Sequence, residues 1–510
     1  MKKYSLSMNP LIILLFSLLI FAILWSTTST LSYGQDRQRS SKRSSDARGG
    51  SNIDLSRTPV SQQIGLKKYD KDRAFNGYTL FAPKHYTTTY VMDMQGRIIN
   101  IWNSQYEPGQ SVYLLENGNL LHCCMAPRGL SFTNGGEGGY YEEYDWDGNL
   151  IWSMSYVDKT KMAHHDIEPL PNCNILLMVL EKKSFEEAVQ AGFDPVRLEK
   201  STYIRLGLVP PEYIIEVERK GANGYNIVWE WHIWDHLIQD IDSTKSNYGN
   251  PKEHPERLDI NATNFKSTAL WNHGNSIDYN PEFDQIVLDC SNHGEFYVID
   301  ATTTTEEAKG HTGGKYGKGG DILYRWGNPQ MYGAGTPGDQ AFYSQHDANW
   351  IPKGYPGEGN IMVFNNGGRS GDHSSVVEVN PPVNENGFYT MPKTGDAFAP
   401  AKPAWTYIAD PPSSLHSKKI SSARRLPNGN TLICDGTHGR FIEVTEDKET
   451  VWEYVNPVAG EGAIKSGQQV PLDQKGHQMN AVFHVQRFAP DYPAFKDKDM
   501  TPILDTLIAQ

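Results

Sequence analysis

Short apolar strands separated by polar turns recur along most of this chain. A polar residue opens a short apolar strand, a Pro/Asn/Gly turn follows, and a second apolar strand returns. Next come an aliphatic-rich strand, an Asp/Gly turn and a strand ending in Trp or Tyr. The first copy is Gln110–His122 with Tyr140–Met154, and the second is His165–Leu180 with Glu212–Trp231. The third is His273–Asp289 with Glu295–Asp300 and Asp321–Trp326. The fourth is His346–Asn365 with Ser375–Val379 and Ala404–Ile408, and the fifth is Ser421–Asp435 with Gly439–Tyr454. Runs this short, bounded by turn residues, predict strands. Asn117-Gly118 and Asn428-Gly429 stand where a hairpin needs positive φ.

A four-stranded meander cannot bury both of its faces alone. Radial stacking buries them, which makes each copy a β-propeller blade. Two half-copies remain: Thr88–Trp102, resembling an outer half, and Met479–Phe488, resembling an inner strand. Joined, they predict a sixth blade from both chain ends, and the closed ring leaves no exposed sheet edge. The fold expected over 77–488 is therefore an all-β, six-bladed propeller, followed by a C-terminal tail at 489–510. Insertions at Glu181–Pro211 and His232–Leu270 depart from the repeat and read as lids or surface loops, with a short capped helix at Ser184–Gln190.

The N-terminus differs. Lys2 and Lys3 precede an apolar run from Leu11 to Trp25, and small residues lead to Gly34. This predicts a signal peptide over 1–34 and an exported, periplasmic or secreted body, with membrane contact only if the segment stays uncleaved. The Arg/Ser/Gly-rich stretch from Gln35 starts a flexible tether expected over 35–76. Net charge is −13 in 510 residues, an acidic balance that gives no footprint for nucleic acid. Cys123, Cys124, Cys173, Cys290 and Cys434 have no metal-ligand spacing and read as buried small residues, Cys123 and Cys124 pointing to opposite faces of a strand. Gly310–Gly320 fails the spacing of a phosphate loop, and Asp145–Asn149 lacks the distal Glu of a calcium loop.

Aligned on their first turn, the inner strands open with Gln110, His165, His273, His346 and Ser421. Equal register in a propeller means equal depth along its axis. His165, His273 and His346 should therefore converge at one end of the central channel, with Asn275 two residues after His273 and His164 pointing away. Three imidazoles could hold Zn²⁺ or Cu²⁺ as a His₃ metalloenzyme. Alternatively, one could attack an electrophile while the others stabilise charge. A non-catalytic ligand-binding propeller is a third reading.

His164-His165-Asp-Ile-Glu-Pro-Leu-Pro-Asn, the His273-Gly-Asn275 strand, Gln345-His346-Asp347 and the Leu426–Leu432 turn resemble the bacterial arylsulfate sulfotransferases. The resemblance spans about Gly77 to Phe488. It implies a six-bladed periplasmic propeller that moves a sulfuryl group from a phenolic sulfate ester to a phenol, through a sulfohistidine and without a nucleotide donor or other cofactor. It assigns His346 as nucleophile, with His273 and His165 assisting at the sulfuryl oxygens or the leaving phenolate and Asn275 beside them. Better-known members draw an arginine from the strand after the His-x-Asn motif. Here that strand, Leu288–Gly294, has none, so either His293, Arg440 or Arg425 replaces it or the chain binds a different group. Trp234, in the second insertion, is the aromatic expected to stack on the phenol ring.

Overall fold

The computed structural model describes residues 64–126, 136, 138–198, 209–262, 271–367, 371–460 and 462–509. The expected signal peptide and most of the tether lie outside them. No helix among the described residues is long and apolar enough to cross a membrane.

Six antiparallel sheets form the six expected blades, five of four strands and one of five. Their inner strands are Pro108–Leu114, Lys161–Pro169, Gly274–Asn280, His346–Trp350, Ser422–Arg425 and Val482–Phe488. The sixth blade closes the ring as expected: Val482–Phe488 pairs with Tyr78–Pro83, which continues to Thr88–Met92 and Ile98–Asn103. One boundary is corrected. The tether was expected to reach residue 76, but Gly65–Tyr69 is a strand paired on the outer edge of the fifth blade. Its pairing covers an edge that would otherwise be open.

The strands read as continuous apolar runs because each is sandwiched between two neighbours. Leu176 and Met178 pack towards the third blade, whereas Leu177 and Val179 pack towards the first. Six such interblade cores run round the ring. The aromatic ends of the outer strands have a matching purpose. Trp102 Nε1 donates to Asp145 O (2.8 Å), Trp152 to Gly224 O (3.0 Å) and Trp231 to Gly320 O (2.7 Å). Trp326 donates to Pro400 O (2.8 Å), Trp405 to Glu446 O (3.1 Å) and Trp452 to Met94 O (2.9 Å). Each indole thus latches its blade to the next, and each such bond is worth about 0.5–1.5 kcal/mol.

The insertions pack rather than dangle where they are described. Ser184 caps Phe185–Gln190 in a capping box with Glu187. Ile233, Leu237, Leu258 and Ile260 join Phe193 and Trp271 in the core between the second and third blades. The cysteines are free thiols and four are buried as expected; Cys173 is exposed, because it occupies a hairpin turn with φ 67°.

Candidate active site

Each inner strand of the first five blades opens with irregular backbone at the same depth. φ is 142° at Gln110, 51° at His165, 51° at His273, 56° at Asp347 and 94° at Ser421. The ladders slip at these places in the first four blades. Left-handed non-glycine residues are uncommon and gather at functional sites. Here they turn side chains inward that period-two alternation would send sideways.

The histidines expected to meet do meet. The His165 and His273 rings lie 5.1 Å apart, edge to face. Phe483, from the sixth blade, stands 6.4 Å from both His165 and His346. Burial, then the charge of His346, pushes His273 down to about 3, and Asn275 opposes this. Burial pushes His346 down to about 4 against the pull of Asn366, and His165 well below the usual range, with His164 and His273 adding to the push. All three rings are therefore neutral near pH 7.

The protonation state of His346 follows from its neighbours. Asn366 donates its amide to Ser417 O (2.8 Å) and Ile420 O (2.7 Å). Its Oδ1 must then accept, so His346 Nδ1–H donates to it at 2.8 Å. The lone pair is left on Nε2, where Ile420 N–H donates at 3.1 Å. Gln345 holds the other side: its carbonyl accepts from Asn275 Nδ2 (2.8 Å), while Asn275 Oδ1 stays buried without a partner.

His164 was expected to point away, yet its Nδ1 lies 2.7 Å from His165 Nδ1. The left-handed turn at His165 breaks the alternation on which that expectation stood. His164 Nε2 donates to Glu212 Oε2 at 2.6 Å, and Gly274 N–H donates to Glu212 Oε1 at 2.7 Å. Only one proton fits between the two Nδ1 atoms, so Glu212, His164 and His165 form a buried hydrogen-bonded chain. Neither Glu212 nor the direction of His164 was legible in the repeat.

The other expected residues stand elsewhere. Arg440 pairs with Glu453 (2.8 Å) and donates to Ser414 O (2.9 Å), on the third strand of the fifth blade. Arg425 pairs with Glu378 and caps Gly429 O. His293 is buried against Trp271 and Tyr297. Trp234 packs on Phe193 and Trp271, 6.3 and 6.4 Å away, in the interblade core. Among the described residues, a cation that acts on the cluster is Lys84, at the start of a sixth-blade turn. It lowers both His165 and His346, and its Nζ donates to Gln110 Oε1 at 3.3 Å.

Further along the channel, Arg424 of the fifth blade pairs with Asp347 (2.9 Å). Burial raises Asp166, Glu168 and Asp278, and Arg424 opposes that rise in each; His484 is pushed down to about 3 by burial and by Arg424. Tyr113 donates to Asp166 Oδ1 at 2.9 Å. Arg424 thus faces carboxylates from the second, third and fourth blades. As for metals, two sets of three ligand atoms fall within 4.8 Å among the described residues: His122/Cys124/Glu142 and His236/His311/Asp321. The three channel imidazoles do not form such a set, which leaves the His₃ metal reading without its geometry.

The arylsulfotransferase (ASST) family model matches residues 66–470 of the chain. No curated protein matches it. Among solved structures, a protein of unknown function from Bacteroides caccae is 10% identical, with a TM-score of 0.40, covering 81% of this chain and 99% of that one. Apo AztD from Citrobacter koseri is 9% identical, with a TM-score of 0.34, covering 82% and 99%. Catalytically inactive virginiamycin B lyase from Staphylococcus aureus with quinupristin is 7% identical, with a TM-score of 0.34, covering 82% and 98%.

Proposed function

The chain belongs to the arylsulfotransferase family, and from that premise we propose that it carries a sulfuryl group from a phenolic sulfate ester to a phenol on His346. The observation that carries the reading is the fixed tautomer of His346, whose Nε2 lone pair is held on the side of Ile420 N–H by Asn366.

Attack exchanges the Ile420 N–H bond at Nε2 for sulfur. A new N–S bond forms as the S–O bond to the phenolate breaks, and the freed N–H can donate to a sulfuryl oxygen. Positive charge appears on the imidazole, and Nδ1–H delivers part of it to Asn366 Oδ1 and to Ser344 O at 3.1 Å. Sulfuryl transfer, like phosphoryl transfer, rests mostly on in-line positioning and charge stabilisation. The phenolate, whose conjugate acid has a pKa of about 10, takes a proton from His165 or His273. Their low proton affinity arises from burial and mutual repulsion. An arriving anionic ester reverses that balance, so binding the donor charges the proton source. Glu212 and His164 steady the proton on His165. In the second half-reaction an acceptor phenol returns its proton to the same imidazole, its oxygen bonds sulfur and the N–S bond breaks. Phe483, rather than Trp234, offers the aryl face next to the rings, and Lys84 attracts the anionic donor. No cofactor enters this scheme. The body acts outside the cytoplasm, a reading that rests on the apolar run Leu11–Trp25 behind Lys2 and Lys3.

Incubation with an aryl sulfate alone should leave an acid-labile sulfo adduct on the His346 peptide, read by mass spectrometry. Addition of a phenol should remove it as the phenol sulfate forms. Turnover that survives His346→Asn, with no adduct in the wild-type protein, would defeat the proposal.

A further inference from the structure

The interface between the first and sixth blades changes character at one end. Leu120 and Tyr144 pack there against Leu80, Val91 and Trp102 of the sixth blade. Continuing along Leu120–Met125 on the same face, the next positions are His122 and Cys124. Glu142 stands directly opposite His122 on the paired strand. An apolar seam has thus been replaced by an imidazole, a thiol and a carboxylate, exposed by 1%, 0% and 3%. Burying three such groups is costly unless something binds them together.

Their spacing suggests what does. Cys124 Sγ lies 3.2 Å from His122 Nδ1 and 3.4 Å from a Glu142 oxygen, and that oxygen lies 3.8 Å from Nδ1. Zn–S, Zn–N and Zn–O bonds of standard length at tetrahedral angles place ligand atoms about 3.3–3.6 Å apart. The triangle, with edges of 3.2, 3.4 and 3.8 Å, brackets the edges of one face of a tetrahedron. The other set, His236/His311/Asp321, has both imidazoles 2.8 Å from one carboxylate oxygen, the spacing of hydrogen bonds. Around the first set, Ser104 Oγ and Tyr144 OH donate at 2.6 and 2.8 Å to that same Glu142 oxygen and hold the carboxylate in place. Such partners orient a metal-binding carboxylate and hold it ionised.

We propose that His122, Cys124 and Glu142 bind a single divalent transition ion of the zinc class, with a water completing the tetrahedron. Nitrogen, sulfur and oxygen together suit that class and do not suit magnesium or calcium. Binding forms a metal–sulfur bond and releases the thiol proton to solvent. No oxidation is involved. The ion ties the first blade to the connection carrying Ser104 out of the sixth, and it takes no part in sulfuryl transfer.

Cobalt(II) is the probe, titrated into the chelator-stripped full chain without substrate. One equivalent should bind, with a thiolate-to-cobalt band in the near ultraviolet and release of about one proton per ion. Cys124→Ser should abolish the band, Glu142→Gln should weaken cobalt binding at least tenfold, and His311→Ala should leave the band intact. A folded wild-type chain that gives no band overturns the proposal, as does a band that persists in Cys124→Ser. If Cys124→Ser does not fold, Glu142→Gln binding cobalt as tightly as wild type overturns it equally. Because the readout needs no substrate, it is independent of the transfer reaction.

Discussion

Replacing His346 with Asn removes one buried imidazole and leaves a polar side chain of smaller size. His346 is held neutral by burial, with a folded value of about 4 against an ordinary value of 6.5. The unfolded chain therefore takes up this proton first as the pH falls. The stability contributed by the neutral ring is complete above pH 6.5 and is lost as the pH drops through about 4. Between pH 7 and pH 5 the linkage removes about 2 kcal/mol of stability from the wild-type protein. The variant has no such group, so acidification over the same interval should cost it about 2 kcal/mol less. Urea unfolding at both pH values, followed by tryptophan fluorescence, measures this double difference. Any cavity cost of the substitution appears at both pH values and cancels. If the two proteins lose stability in parallel, burial does not hold this imidazole neutral, and the lone pair assigned to Nε2 loses its basis.

Three further outcomes test the surroundings of the cluster. Asn366→Ala strands the Ile420 carbonyl, leaves Ser417 O only the bond from Ser374 Oγ and leaves His346 Nδ1 only Ser344 O, so stability should drop by about 1–3 kcal/mol in denaturant titration, with kcat falling more than KM rises. Lys84→Met removes a cation that depresses His165 and His346; the KM for an anionic donor should rise roughly tenfold, and the acid limb of kcat/KM should move to higher pH. Arg424→Met leaves the channel carboxylates uncompensated, so it should cost about 3 kcal/mol in alkaline solution and less as the pH falls through about 7, where Asp347 takes its proton.

The six blades, their order and the closing pair of half-copies could be read from the chain because each blade is a local repeat. Apolar positions, Asn-Gly turns and terminal tryptophans are fixed by short-range rules, and equal register carried His165, His273 and His346 to one depth. What the sequence could not show is which groups approach from other blades. Phe483 and Lys84 come from the blade assembled from both chain ends, so their separation from His165 and His346 has no meaning along the polypeptide. Glu212 reaches His164 only because the two strands share a sheet, and His164 itself turns inward only because His165 takes a left-handed backbone. Arg440 and Arg425 looked available by composition, but Glu453 on the paired strand and Glu378 of the fourth blade had already claimed them. Amino-acid pattern therefore determined the ring, since strand period and turn chemistry act over a few residues. Ring closure decided the site, since charge, tautomer and contact depend on distances in space that no local spacing encodes.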